Sequence, residues 1–215
     1  MANIPLEWKP AVPAFARKLL EPPRKATYQD ILDAPDNMVA EIIHGELYLS
    51  ARPADPHVWA YAKLHGEIEM KFARDPDGDG DVPAEWAILP EPELRLGQDV
   101  LVPDSAGWRV EKLHRNQAIR FNDVVPDWVC EVLSPSTREF DLGRKSDICA
   151  REGVKFLWII DTAARTLQAS VLTNGNRLPI STLLATDMIT VPPFGKLNIP
   201  LCRQLPGGPL CPRSE

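Results

Sequence analysis

An acid in the middle of an apolar strand constrains this chain more than any other feature. Val129 to Leu133 is apolar except for Glu131, and a carboxylate in such a run is costly to bury unless it is paired or holds a metal. The surrounding stretch, Pro126 to Glu152 (PDWVCEVLSPSTREFDLGRKSDICARE), reads as a buried strand, a Ser134-Pro135 turn and an amphipathic helix carrying Lys145. Ser136 and Glu139 have capping-box spacing for that helix, which is expected to end near Gly153. Partners for Glu131 must come from other parts of the chain.

Upstream, Thr27 is placed to cap a short helix through about Ala34, and Met38 to Ser50 reads as strand, His44-Gly45 turn, strand. A longer helix is expected from Asp55 to about Arg74, because Tyr61, Leu64, Ile68 and Phe72 recur at helical spacing. His57 and His65 lie on it without an HExxH pattern, and His57, at its start, is placed to contact a site. Short strands follow at Trp86 to Leu89, Glu93 to Leu96, Val100 to Val102 and Ser105 to Val110, with Asp104 at a strand end. Downstream, Lys155 to Asp161 is an apolar strand and Arg165 to Leu172 its hairpin partner; Asn174-Gly175 is another turn, and Ile180 to Val191 carries moderate strand or helix signals. Alternating strands and helices of this kind imply a mixed α/β (α+β) domain.

With 215 residues, the chain is long enough for one domain with a substantial core. Its net charge of −6 argues against a generally basic nucleic-acid coat, although a local basic groove is compatible with it. Many of the 22 prolines lie near the two ends. Residues 1–26 are therefore expected to be a Pro-rich extension and 196–215 a Pro/Gly-rich tail, with poor order from Pro192 onward. Met1 to Pro13 has no apolar h-region and no run approaches a membrane span, so a cytoplasmic protein without membrane contact is expected. Cys130, Cys149, Cys202 and Cys211 form no CxxC pair and are expected to be reduced. Asp75 to Asp81 (DPDGDGD) matches the first half of an EF-hand loop, but the twelfth position is Trp86 where a bidentate Glu is needed, so calcium binding is not expected.

Asp104 and Glu131, on neighbouring strands, can converge on one divalent metal, with the Leu133 carbonyl completing an oxygen shell suited to Mg²⁺ or Mn²⁺. A lysine near that centre supplies positive charge to a phosphoryl group or helps activate a nucleophile. Lys145 also lies four residues after Asp141, the spacing of an ordinary exposed helix pair.

The run PDWVCEVLSPSTREFDLGRKSDICAREGVKFLWIID, with AEIIHGELYL and LVPDSAGWR upstream, resembles the Uma-type restriction endonuclease family, a branch of the PD-(D/E)XK nuclease superfamily. The resemblance spans roughly Thr27 to Leu172 and implies a restriction-endonuclease-like mixed β-sheet flanked by helices, with a nuclease-like domain over 27–195. It implies that Asp104 is the acid of the first half-motif and Glu131 that of the second. The position two residues after Glu131 is Leu133 where the family pattern has a lysine, so Lys145 on the next helix is the implied substitute. Glu41 resembles a further acid near the metal. The implied function is a Mg²⁺- or Mn²⁺-dependent endonuclease acting on phosphodiesters, chiefly DNA, with a homodimer as a plausible assembly. The alternative is an inactive nuclease fold that binds nucleic acid or protein. Arg138, Arg144, Lys145 and Arg151 are candidate contacts to a nucleic-acid backbone.

Overall fold

The fold is seen in a computed structural model that describes residues 24–51, 55–73, 85–114, 123–134, 138 and 141–207. The segment DPDGDGD and the proposed cap residues Ser136 and Glu139 lie outside the described residues.

Two sheets hold most of the strands among the described residues. Strands β1 (Met38–Ile43) and β2 (Glu46–Ala51) form a hairpin, joined by β4 (Leu94–Leu96) and β5 (Asp99–Leu101) in the order β2-β1-β5-β4. His44 and Gly45 both adopt positive φ, as a two-residue hairpin turn with the twist of its strands requires. The larger sheet contains β3 (Trp86–Pro90), β6 (Ser105–Arg109), β7 (Trp128–Leu133), β8 (Phe156–Asp161), β9 (Thr166–Thr173) and β10 (Asn176–Leu184), in the order β10-β9-β8-β7-β6-β3. Only β7 and β8 are parallel within it. A parallel pair needs a crossover, which here carries a π-helical turn (Asp141–Lys145) leading into α4 (Ser146–Arg151). Among the described residues, three further helices are α1 (Tyr28–Leu32), α2 (Asp55–Phe72) and α3 (Val110–His114). The sequence treats Val110 as the end of a strand, whereas it begins α3.

Every residue of β7 is buried, as expected for a strand covered on both faces. Side chains alternate between those faces. Trp128, Cys130 and Val132 point into a core with Ala60, Leu64 and Ile68 of α2. Val129 and Leu133 enter a second core with Ile148 and Cys149 of α4. Glu131 has the parity of Val129 and Leu133, so the same alternation that buries it aims it at the α4 side. On β6, a side chain at Gly107 would come within 2.8 Å of Ile88 and 3.2 Å of the Trp128 ring, which explains a glycine inside a strand.

The expected disorder from Pro192 onward is not observed through residue 207. Phe194 is fully buried, with its ring 4.9 Å from those of Trp86 and Trp128 and 5.6 Å from that of Trp158. Leu197, Leu201 and Leu205 join the same core. The Pro192 carbonyl accepts from Trp158 Nε1 at 2.7 Å, and that of Leu197 from Lys71 Nζ at 2.8 Å. Proline density thus marks a segment strapped over the sheet by its apolar residues. Strands β11 (Met188–Ile189) and β12 (Ile199–Pro200) pair within it, and a 3-10 turn follows at Leu201–Gln204. Cys130 and Cys149 are free and buried as expected, but Cys202 is disulfide-bonded, against the expectation of four reduced thiols. Its turn is anchored by buried Leu201 and by the Cys202 N–H donating to Ala185 at 2.9 Å, so the cysteine is held in place rather than carried on a loose end.

Candidate active site

Four of the five residues expected at the site meet in two adjoining groups. On β1, Glu41 projects beside Lys145, its Oε1 lying 3.0 Å from Nζ. Glu131 Oε1 approaches the same ammonium at 3.5 Å, and Asp141 Oδ1 at 3.1 Å. All four side chains are at most 7% exposed. The exposed helix ion pair suggested by the Asp141–Lys145 spacing exists as a contact but lies inside the protein. The π-helical turn places both members beneath the surface, next to strand acids from two sheets.

Asp104 forms the second group. Strand β6 stops pairing with β7 at Ser105 opposite Cys130. Just beyond that end, Asp104 Oδ2 accepts the Val132 N–H at 2.7 Å, so a side chain continues where the ladder ends. Its Oδ1 faces His57 Nε2 at 3.2 Å. Glu41 is fixed in a similar way, accepting the Val102 N–H at 2.8 Å. These two amides belong to different elements, that of Val132 to β7 and that of Val102 to the segment linking β5 to β6, whose far end carries Asp104. Leu133 is buried at the end of β7 in register with Asp161.

The electrostatics follow from burial and crowding. Burial pushes the Glu131 carboxyl well above the usual carboxylate range; Lys145 opposes this, while Asp141, Asp104 and Glu41 reinforce it. Burial raises Glu41 too, against Lys145 and the Val102 amide. For Lys145, burial alone would favour the neutral amine, but Glu131, Glu41 and Asp141 hold it charged and push its pKa well above the ordinary lysine value. His57 is likewise lowered by burial and raised further by Asp104, with a net upward shift.

Glu41, Asp104, Glu131 and Asp141 outnumber Lys145 and His57 four to two, even with His57 protonated. No hydrogen-bond donor other than the Lys145 ammonium reaches buried Asp141 Oδ1 among the described residues. Hard carboxylate oxygens in excess of fixed positive charge fit a hard divalent cation such as Mg²⁺ or Mn²⁺. As the side chains stand, no three His, Cys, Asp or Glu groups among the described residues are spaced around a common ion position, because the Glu41, Glu131 and Asp141 contacts run to Lys145.

Residues 26–202 match the Uma2 family, described as "Putative restriction endonuclease". The chain belongs to that family. A solved structure from Anabaena variabilis ATCC 29413, described as a "putative nuclease belonging to DUF820", superposes with a TM-score of 0.64 at 19% identity, covering 83% of this chain and 97% of that one. It shares the fold, a mixed sheet flanked by helices. No curated protein matches the chain. Among the described residues, no helix is long and apolar enough to cross a membrane.

Asp141 is the participant that sequence reasoning missed. Its signal was present in the spacing to Lys145, but that spacing is common on solvated helix faces. The contact between His57 and Asp104 gives a specific partner to a histidine read only as being near a site. Two of the candidate backbone-binding arginines are tied up internally: Arg138 meets Asp161 at 2.5 Å and Arg151 meets Asp99 at 2.7 Å.

Proposed function

We propose that the protein is a Mg²⁺- or Mn²⁺-dependent endonuclease that hydrolyses phosphodiester bonds in DNA. The observation that carries this reading is Lys145 buried among Glu41, Glu131 and Asp141, with Asp104 fixed on the adjoining strand end. The lysine displaced from position 133 is thereby supplied from the helix side, which supports catalysis over an inactive interaction module.

Glu41, Asp104 and Glu131, with the Leu133 carbonyl, would hold the cation. When bound, the cation lowers the pKa of a coordinated water and neutralises charge on the phosphoryl oxygens. Lys145 keeps its proton at Nζ and donates toward the attacking water or a nonbridging oxygen, stabilising negative charge as it builds. Asp141 holds that ammonium in line, and His57 fixes the rotation of the Asp104 carboxylate. The water oxygen bonds to phosphorus and gives up one proton to bulk water as the bond to the leaving sugar oxygen breaks, and that oxygen takes up a proton from bulk water. Cutting both strands calls for two such sites, for which a homodimer is the simplest arrangement.

Plasmid nicking with Mg²⁺ or Mn²⁺, run beside an RNA substrate, tests the reading. Wild type is expected to nick DNA, with Asp104→Ala and Lys145→Ala each abolishing it. Cutting that survives Asp104→Ala would remove the site from consideration. Failure of the wild type to cut any nucleic acid or bind either ion would favour the interaction module.

A further inference from the structure

One step outward from the buried cluster, a second set of contacts repeats its pattern. Glu41 and Tyr48 are directly opposed on β1 and β2, so both side chains leave the same face of that sheet. Glu41 is held by Lys145; Tyr48 is held by the neighbouring residue, Arg144, which donates from Nη1 to the phenol oxygen. The Tyr48 hydroxyl in turn donates to Glu46 Oε2, and Arg144 Nη1 lies 3.8 Å from the same carboxylate oxygen. The guanidinium carbon sits 5.8 Å from the centroid of the Tyr48 ring. An anionic oxygen is therefore already received by a guanidinium and a phenol at the rim of the reaction centre.

The other arginines of this region differ in one decisive respect. Arg138 and Arg151 bind Asp161 and Asp99, whose side chains are 6% and 0% exposed. Both acids are also fixed by backbone amides, Asp161 by Ala163 and Ala164, and Asp99 by His44. Glu46 is 71% exposed and Arg144 is 49% exposed, so this carboxylate can swing into water without leaving a buried charge behind. A guanidinium fork with an adjoining hydroxyl matches the nonbridging oxygens of a phosphodiester.

We propose that Arg144 and Tyr48 form a phosphate subsite that takes a backbone phosphate next to the one cleaved, and that Glu46 fills this subsite until nucleic acid displaces it. The inference rests on the nuclease reading and names residues for substrate that the buried cluster does not include. In the free protein Glu46 acts as an internal competitor, which also limits the capture of stray anions. An exposed pair of this kind adds little to folding, so its variants are expected to remain folded.

The test is equilibrium binding of a labelled DNA duplex to the full chain, with Ca²⁺ replacing Mg²⁺, across a salt series. Arg144→Ala is expected to bind roughly tenfold more weakly and to lower the salt slope by about 1. Arg144→Lys keeps the slope and recovers only part of the affinity. Tyr48→Phe weakens binding less than Arg144→Ala, and Glu46→Gln tightens it roughly threefold. Wild-type binding left unchanged by both Arg144→Ala and Glu46→Gln would overturn the subsite and leave the nuclease reading intact. A wild type that binds neither duplex nor single-stranded nucleic acid would overturn both.

Discussion

Replacing Lys145 by methionine keeps most of the side-chain volume while removing the one charge that Glu41, Glu131 and Asp141 share. Leaving a buried charge without its partner costs about 3–5 kcal/mol. For a domain of this size, each kcal/mol moves the melting temperature by roughly 2–4 °C. Lys145→Met should therefore melt roughly 6–20 °C below wild type in EDTA near pH 8. The acids can escape part of this by taking up protons, so the deficit should shrink as the pH falls. Adding Glu131→Gln to Lys145→Met should restore part of the loss, because one of the stranded charges is gone. Mg²⁺ should also raise the melting temperature of Lys145→Met, since Glu41, Glu131 and Asp141 then have no other cation in contact among the described residues; saturating a site a hundredfold above Kd adds about 2.7 kcal/mol. Differential scanning calorimetry in EDTA and in Mg²⁺ reads all of these. A loss below about 0.5 kcal/mol would match an exposed helix pair, and would refute the view that Lys145 compensates the buried acids.

The pH dependence of the metal-free protein should run opposite to ordinary acid destabilisation. Glu131 and Glu41 have folded pKa values raised above 4.5, and His57 one raised above 6.5. The stability linked to each is fully present below its unfolded value and is lost as pH rises through its folded value. Melting temperatures in EDTA should thus climb as pH falls from neutrality toward about 5, and Glu131→Gln should flatten that rise. Phe194→Ala should cost about 3–5 kcal/mol by urea denaturation, because it empties the centre of the tryptophan cluster; a loss under 1 kcal/mol would return the Pro192 segment to the status of a loose tail. Moving the lysine, as Lys145→Leu with Leu133→Lys, should recover part of the nicking that Lys145→Leu alone loses. No recovery in a folded double variant would mean that the two positions do not serve one site.

The strand carrying Glu131 was legible because a period of two leaves no polar face on which an acid at that position can meet water. Asp104 and Lys145 were named from the residue pattern and again through the family resemblance, Glu41 through the resemblance alone, and their distances to one another depend on pairings between strands far apart in sequence. Asp141 was hidden for a different reason. An acid four residues before a lysine reads as a surface pair, and only the packing of the π-helical turn against two sheets makes it a buried one. Residues 192–207 misled because prolines dominate their local appearance. The informative signal was the recurrence of Phe194, Leu197, Leu201 and Leu205, each buried in the core. Backbone amides that fix Asp104 and Glu41 leave no trace in sequence at all.

Under the proposed function, Leu133 with the lysine supplied from position 145 alters how the candidate site is held together more than where its charge lies. Position 133 shares the face of Glu131, so a lysine there would rise from the strand into the space beside that acid. In this chain Leu133 instead packs in the core beneath α4, with Ile148 and Ile159. The ammonium enters the same space from above, on the turn that leads into α4. Its position therefore depends on how α4 docks through fully buried Ile148 and Cys149, whereas Glu41, Asp104 and Glu131 are set by the sheets. Loosening that helix should displace the lysine and spare the acids. Ile148→Ala, with an expected cost of about 2–5 kcal/mol, should lower nicking by far more than it lowers Mg²⁺ affinity measured by calorimetry, at a temperature where the variant remains folded. Equal losses in both would mean that the helix and the strand acids form one rigid unit, and that supplying the lysine from α4 has no mechanical consequence for the site.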